Sequence, residues 1–116
     1  MGTRGSKKHS NDRLQGTIDL VILKTLASRG SLHGYALTTH IESVSGSVLR
    51  VQEGSLYPAL HRMTECGWLR SEWRLSENGR RARVYQLTAA GRRQLADEER
   101  RWAELTGAVA RILRHA

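Results

Sequence analysis

The sequence predicts a mostly α-helical winged helix-turn-helix with a small β-hairpin, followed by a long C-terminal dimerisation helix. Three observations carry that expectation. Leu56, Leu60 and Met63 fall at i, i+4 and i+7, the stripe of a helix packed on one side. After Gly67 the apolar period drops from 3.6 to 2, and Asn78-Gly79 divides two strand-like runs in the manner of a tight hairpin. From Thr88 onward, Leu95, Trp102 and Val109 recur every seven residues, with Leu105 and Ile112 at the alternate heptad position. The chain divides accordingly into a disordered basic arm over 1–13, a winged helix-turn-helix over 14–87 and a dimerisation helix over 88–116.

The segments in order support this layout. Residues 2–13 contain no aliphatic side chain and carry Arg4, Lys7, Lys8 and Arg13, so they read either as an arm that touches phosphates or as a plain flexible tail. From Leu14 to Ala27 a helix is apolar around most of its circumference and should be buried on more than one side. One side serves its own domain; another, with Leu14 and Ile18, can serve a partner chain. A second amphipathic helix covers Leu32 to Val44, with Leu37, Ile41 and Val44 as its core stripe. Val48 to Val51 bridges to the central helix. Trp68 to Leu75 and Arg80 to Leu87 form the hairpin, with Arg80, Arg81 and Arg83 near its tip and Trp68 and Trp73 in its packing. On the returning strand, Ala82, Val84 and Gln86 face one way and Arg83, Tyr85 and Leu87 the other. Thr88 suits the N-cap of the last helix.

Composition narrows the function. The 116 residues suit one domain, and 19 Lys+Arg against 11 Asp+Glu give a formal charge of +8, which points to a polyanionic partner. The single Cys66 excludes an internal disulfide framework and reads as a small buried thiol at a helix end. No apolar run approaches a membrane span, so a cytoplasmic, nucleoid-associated protein with no membrane partner is expected. The five histidines show no metal-ligand spacing with one another or with Cys66, and there is no Gly-rich phosphate loop or nucleophile elbow. Neither enzymatic activity, a metal nor a cofactor is expected.

Several segments together resemble one family. These are Leu14 to Leu26 (L-Q-G-T-I-D-L-V-I-L-K-T-L), L-H-G-Y-A-L at Leu32 to Leu37, and E-G-S-L-Y-P-A-L-H-R-M at Glu53 to Met63. G-W-L at Gly67 to Leu69 and Y-Q-L-T-A-A-G-R at Tyr85 to Arg92 complete the pattern. It is similar to the PadR family of transcriptional regulators, in its short branch with a single C-terminal helix, and spans about residues 14 to 103. The resemblance implies a winged helix-turn-helix, a homodimer joined through the first and last helices, and usually repression. Some members of the family respond to small hydrophobic or phenolic compounds.

The expected partner is double-stranded DNA, read at a near-palindromic operator by two copies of the central helix. Gln52, Ser55, Pro58, His61 and Arg62 fall where a groove would lie: Gln suits adenine, Arg suits guanine, and Pro58 a thymine methyl. Tyr35 and Tyr57 suit phosphate contacts from the flanks or half-buried packing. Arg80, Arg81 and Arg83 suit the backbone or a narrow minor groove. Leu14, Ile18, Leu95, Trp102, Leu105, Val109 and Ile112 form the expected dimer interface. Trp102 has two readings: it fills the seam, or it lines a slot for a flat hydrophobic or aromatic effector. The rival is a winged-helix protein-interaction module with only non-specific DNA binding. An RNA-binding winged helix fits less well, because the aromatic residues form no stacking platform.

Overall fold

The computed structural model describes the backbone of residues 2–75 and 77–115 and the side chains of residues 16–75 and 77–115. The elements are α1 (Gly2–Arg29), β1 (Leu32–His33), α2 (Gly34–Val44), α3 (Glu53–Glu65), β2 (Leu69–Leu75), β3 (Arg81–Leu87) and α4 (Ala89–His115). This is a four-helix winged fold with a small antiparallel sheet. Helix α1 begins at Gly2, where the sequence predicts a disordered arm through residue 13. The apolar half of α1 supplies the nucleus, and no proline precedes Pro58, so elongation toward the N-terminus adds one backbone bond per residue. The expected dimer residue Leu14 and the basic side chains of the arm lie outside the described side chains.

The core is one cluster fed by every helix. It joins Ile22, Leu23 and Leu26 of α1, Leu37 and Ile41 of α2, and Leu56, Ala59, Leu60 and Met63 of α3. Leu69, Tyr85 and Leu87 close it from the sheet and Leu95 from α4. Two expectations change here. Leu95, read as an interface residue, is only 7% exposed within its own chain, because the first turns of α4 lie against this cluster. Val44, read as part of the α2 stripe, is exposed because α2 ends there, past the edge of the core.

The hairpin is extended by a third strand, giving the order β1-β3-β2. Strand β1 pairs Leu32 with Tyr85 and His33 with Val84. A two-residue strand carries no periodicity, so the sequence does not announce it. Its effect is to make β3 central, and Val84 and Tyr85 are buried although they point to opposite faces. Burial raises the Tyr85 pKa above the ordinary tyrosine value.

Helix α4 is fixed to the rest of the domain at a tight joint. The Thr88 hydroxyl shares its proton between the carbonyls of Gly67 (2.6 Å) and Trp68 (3.0 Å). The same oxygen accepts from the Gly91 amide at 3.0 Å, the N-cap bond that the sequence predicts. A Cβ at Gly91 would overlap the Trp68 carbonyl oxygen and approach Leu87 Cδ1 to 2.7 Å. Gly91→Ala should therefore destabilise the fold by about 1–3 kcal/mol, the range for overpacking. Gly107→Ala, where a Cβ would meet nothing closer than Arg111 Nη1 at 3.8 Å, should leave stability unchanged or raise it through helix propensity. Thermal melting of both variants by circular dichroism checks the contrast.

Candidate nucleic-acid interface

Helix α3 has two chemically distinct sides. Leu56, Ala59, Leu60 and Met63 are buried, while Gly54, Ser55, Tyr57, Pro58 and His61 are exposed. Gln52 is the N-cap residue, makes no side-chain cap bond, and is exposed with its amide available. Pro58 removes the N–H that would otherwise reach the Gly54 carbonyl, yet the helix continues unbroken to Glu65. His61 lies 3.5 Å from Glu65, both well exposed.

The flanks of this face are set by packing. The Tyr57 ring lies over the start of α2, where a Cβ on Gly34 would come within 2.6 Å of the Tyr57 hydroxyl. The glycine of His-Gly-Tyr is thus the space that lets α3 approach α2. His33 caps α2 by accepting the Ala36 amide on Nδ1 at 3.3 Å. Tyr35, two residues on, is 75% exposed and points away from the core.

Arg62 departs from its expected place at the groove. Its Nη2 donates to Asp19 Oδ1 at 2.6 Å, tying α3 to α1, and its side chain is partly buried. On the helical wheel it lies beside α1, and the buried acid draws the guanidinium inward. The bond to Asp19 raises the Arg62 pKa further. Burial raises the Asp19 pKa, and the opposing pull of Arg62 does not cancel that rise. The signal for Asp19 in the sequence is an acid within the apolar run Ile18-Asp19-Leu20-Val21-Ile22, which carries no indication of its partner 43 residues away. Cys66, expected to be a buried thiol, is exposed, because the chain turns at the C-cap of α3 before re-entering the sheet.

The wing, β2 and β3, presents basic side chains to solvent. Arg80, Arg81 and Arg83 are exposed, and Gly79 at the turn adopts φ 77°. The guanidinium carbons of Arg81 and Arg83 lie 5.1 and 5.3 Å from the centre of the Trp73 ring. Arg83 Nε also donates to Ser71 Oγ at 3.1 Å. Trp68 packs against the core, whereas Trp73 stands out on the wing.

The far half of α4 carries the expected stripe. Trp102, Leu105, Val109 and Ile112 are between 45% and 64% exposed within the single chain. Ile18, the expected partner position on α1, is half-buried against the edge of the core. It also lines an open cleft of about 460 Å³, which includes Val21, Leu49, Arg50, Val51 and Pro58. Among the described residues, no three His, Cys, Asp or Glu side chains gather as a metal site.

The family model for the "Transcriptional regulator PadR-like family" matches residues 22–97, which include α2, α3, the sheet and the Thr88–Gly91 joint. The chain belongs to the PadR-like family of transcriptional regulators. It is 41% identical over 83 residues to the transcriptional regulator Rv3488 of Mycobacterium tuberculosis, covering 72% of this chain and 74% of that protein. Among solved structures it resembles a PadR family regulator from Eggerthella lenta, with a TM-score of 0.73 and 26% identity over 100% of this chain and 99% of the other. It also resembles Bacillus subtilis PadR in complex with operator DNA, with a TM-score of 0.61 and 25% identity over 68% of this chain and 44% of that one.

The buried acid gives a pH signature for this PadR-like chain. The folded state binds the Asp19 proton more tightly than the unfolded chain does. Stability from this group is therefore greatest when it is protonated, and falls as pH rises from 3.8 through the raised value. Asp19→Asn, which keeps an acceptor for Arg62, should gain on the native chain over that rise. Urea midpoints of both proteins between about pH 4 and pH 7 measure the difference; a variant-minus-native midpoint that falls as pH rises would contradict it.

Proposed function

We propose that this chain is a homodimeric repressor that reads a near-palindromic DNA operator. The observation that carries the reading is the outward face of α3. Gly54, Ser55, Pro58 and His61 are uncovered, small or hydrogen-bonding, while the opposite face is wholly buried. A helix held this way presents a thin polar edge of the size a major groove admits. Gln52, Ser55, Pro58 and His61 then face base edges. Tyr35 and Tyr57 serve phosphates from the flanks, and Arg80, Arg81 and Arg83 hold the backbone or minor groove alongside. Arg62 serves instead to orient α3 from α1. The Bacillus subtilis relative, bound to operator DNA, supports duplex DNA as the ligand.

Dimerisation follows from the stripe on α4. Four large apolar side chains spaced along one helix face fit a second copy of the same chain. A twofold pair would set two α3 helices about 34 Å apart, one turn of DNA. Two Trp102 rings near the twofold would leave a flat apolar slot, the kind of site a small hydrophobic or aromatic effector fills. Occupying a promoter is sufficient for repression. Such a protein works beside the chromosome in the cytoplasm, and among the described residues no helix is long and apolar enough to cross a membrane.

The decisive measurement is binding to the duplex upstream of the chain's own gene against a scrambled duplex, across a salt series. A preference above about a thousandfold, in two-chain units, is expected. Equal binding that falls steeply with salt would favour the interaction-module alternative. Leu105→Glu combined with Val109→Glu should yield monomers by light scattering and weaken operator binding on the order of 100-fold or more, through loss of the second half-site.

A further inference from the structure

Trp73 is out of place for a packing residue. It is 52% exposed, lies outside the hydrophobic core, and stands on a short wing strand among charged neighbours. The register explains what it touches. Trp73 sits directly across from Arg83, and Leu75 across from Arg81, so Arg81 is diagonal to the indole on the same face of the ribbon. Both guanidiniums lie over the indole at cation–π distance. Ser71, two residues before Trp73 and again on that face, takes the Nε proton of Arg83. Arg83 is nonetheless exposed to solvent.

Two guanidiniums held at one ring repel each other and would separate if free. The negative face of the indole offsets that repulsion and limits their rotamers. What results is a preset pair of cations, suited to two neighbouring phosphates or to the negative floor of a narrow minor groove.

We propose that Trp73 is a positioning residue for DNA binding, which holds Arg81 and Arg83 as a preorganised pair. The inference rests on the proposed DNA-reading function and adds to it a residue that touches no DNA itself. Preorganisation raises affinity by removing the ordering cost of two long side chains at binding. The charge of the wing is unchanged by any substitution at Trp73, which separates this role from a purely electrostatic one.

The test uses the full chain and a duplex selected on the wild-type protein from a random-sequence library. Affinity is measured across a salt series for Trp73→Leu, Trp73→Phe, the double variant Arg81→Gln/Arg83→Gln, and the triple variant with Trp73→Leu. Melting temperatures verify that each is folded. Trp73→Leu should lower affinity roughly 5- to 30-fold, the range of two exposed cation–π contacts. Trp73→Phe, which retains a ring face, should recover most of that loss. Once both arginines are gone, adding Trp73→Leu should change nothing further. Wild-type affinity for Trp73→Leu, no recovery by Trp73→Phe, or an undiminished Trp73→Leu effect without the arginines, would overturn the positioning role. If the double arginine variant keeps full affinity and salt slope, the DNA-gripping wing itself is wrong. A loss there beside a silent Trp73→Leu removes only the positioning role.

Discussion

Three elements of this chain meet at the Gly67–Trp68 backbone. Helix α3 ends with the Gly67 amide bonded to the Thr64 carbonyl and the Trp68 amide bonded to Met63. Gly67 takes φ 81°, which turns the chain into β2. The next carbonyls, those of Gly67 and Trp68, are then taken by Thr88 at the head of α4. Gly91 is the clearance that allows this approach. The end of α3, the root of the wing and the start of α4 are thus one hydrogen-bonded unit. The heptad stripe, the wing and α3 each need this joint to hold their relative directions. Its parts lie in two of the segments that mark the family, Gly67 to Leu69 and Tyr85 to Arg92.

A second constraint acts on α3 from the opposite side. The Asp19–Arg62 pair costs desolvation, as the raised Asp19 pKa indicates, and so contributes direction more than stability. An ion pair has a short range of good geometries, whereas the leucine contacts around it tolerate sliding. Together with Tyr57 over Gly34, it sets the roll of α3 about its own axis. That roll decides whether Ser55, Pro58 and His61 face outward or along the domain surface. The basic excess of the chain supplies attraction to a polyanion, and these neutral and paired contacts supply orientation.

Much of this was legible in the sequence because it rests on period and on turn chemistry. The α3 stripe, the hairpin around Asn78-Gly79 and the Thr88 cap all depend on neighbours a few residues apart, and they lie where the pattern puts them. What escaped depends on distant partners. Strand β1 is two residues long and exists only because β3 runs beside it. Arg62 sits on the helical wheel between groove and core, and only the position of Asp19, 43 residues away, decides its side. Leu95 fits the heptad equally well as seam or core, and the distance from the joint makes it core. Trp73 and its arginines are separated by the hairpin turn, so their contact is a matter of register rather than of local pattern. The face of α3 opposite its apolar stripe follows from the helical period, and it is uncovered except at Arg62.

Seen mechanically, the joint at Gly91 is the pivot of a lever. Helix α4 has 27 residues, about 40 Å of rod at 1.5 Å per residue. Its first turns are bound to the core through Leu95, while its far end carries the apolar stripe clear of the domain. A tilt of about 5° at the pivot moves the tip by about 3.5 Å, close to the rise of one base pair. Small changes in side-chain volume near Trp68 and Leu87 are thereby magnified into displacements on the scale of a nucleotide step. The gain of such a device is set by rod length, and its precision by the clearance at a single glycine.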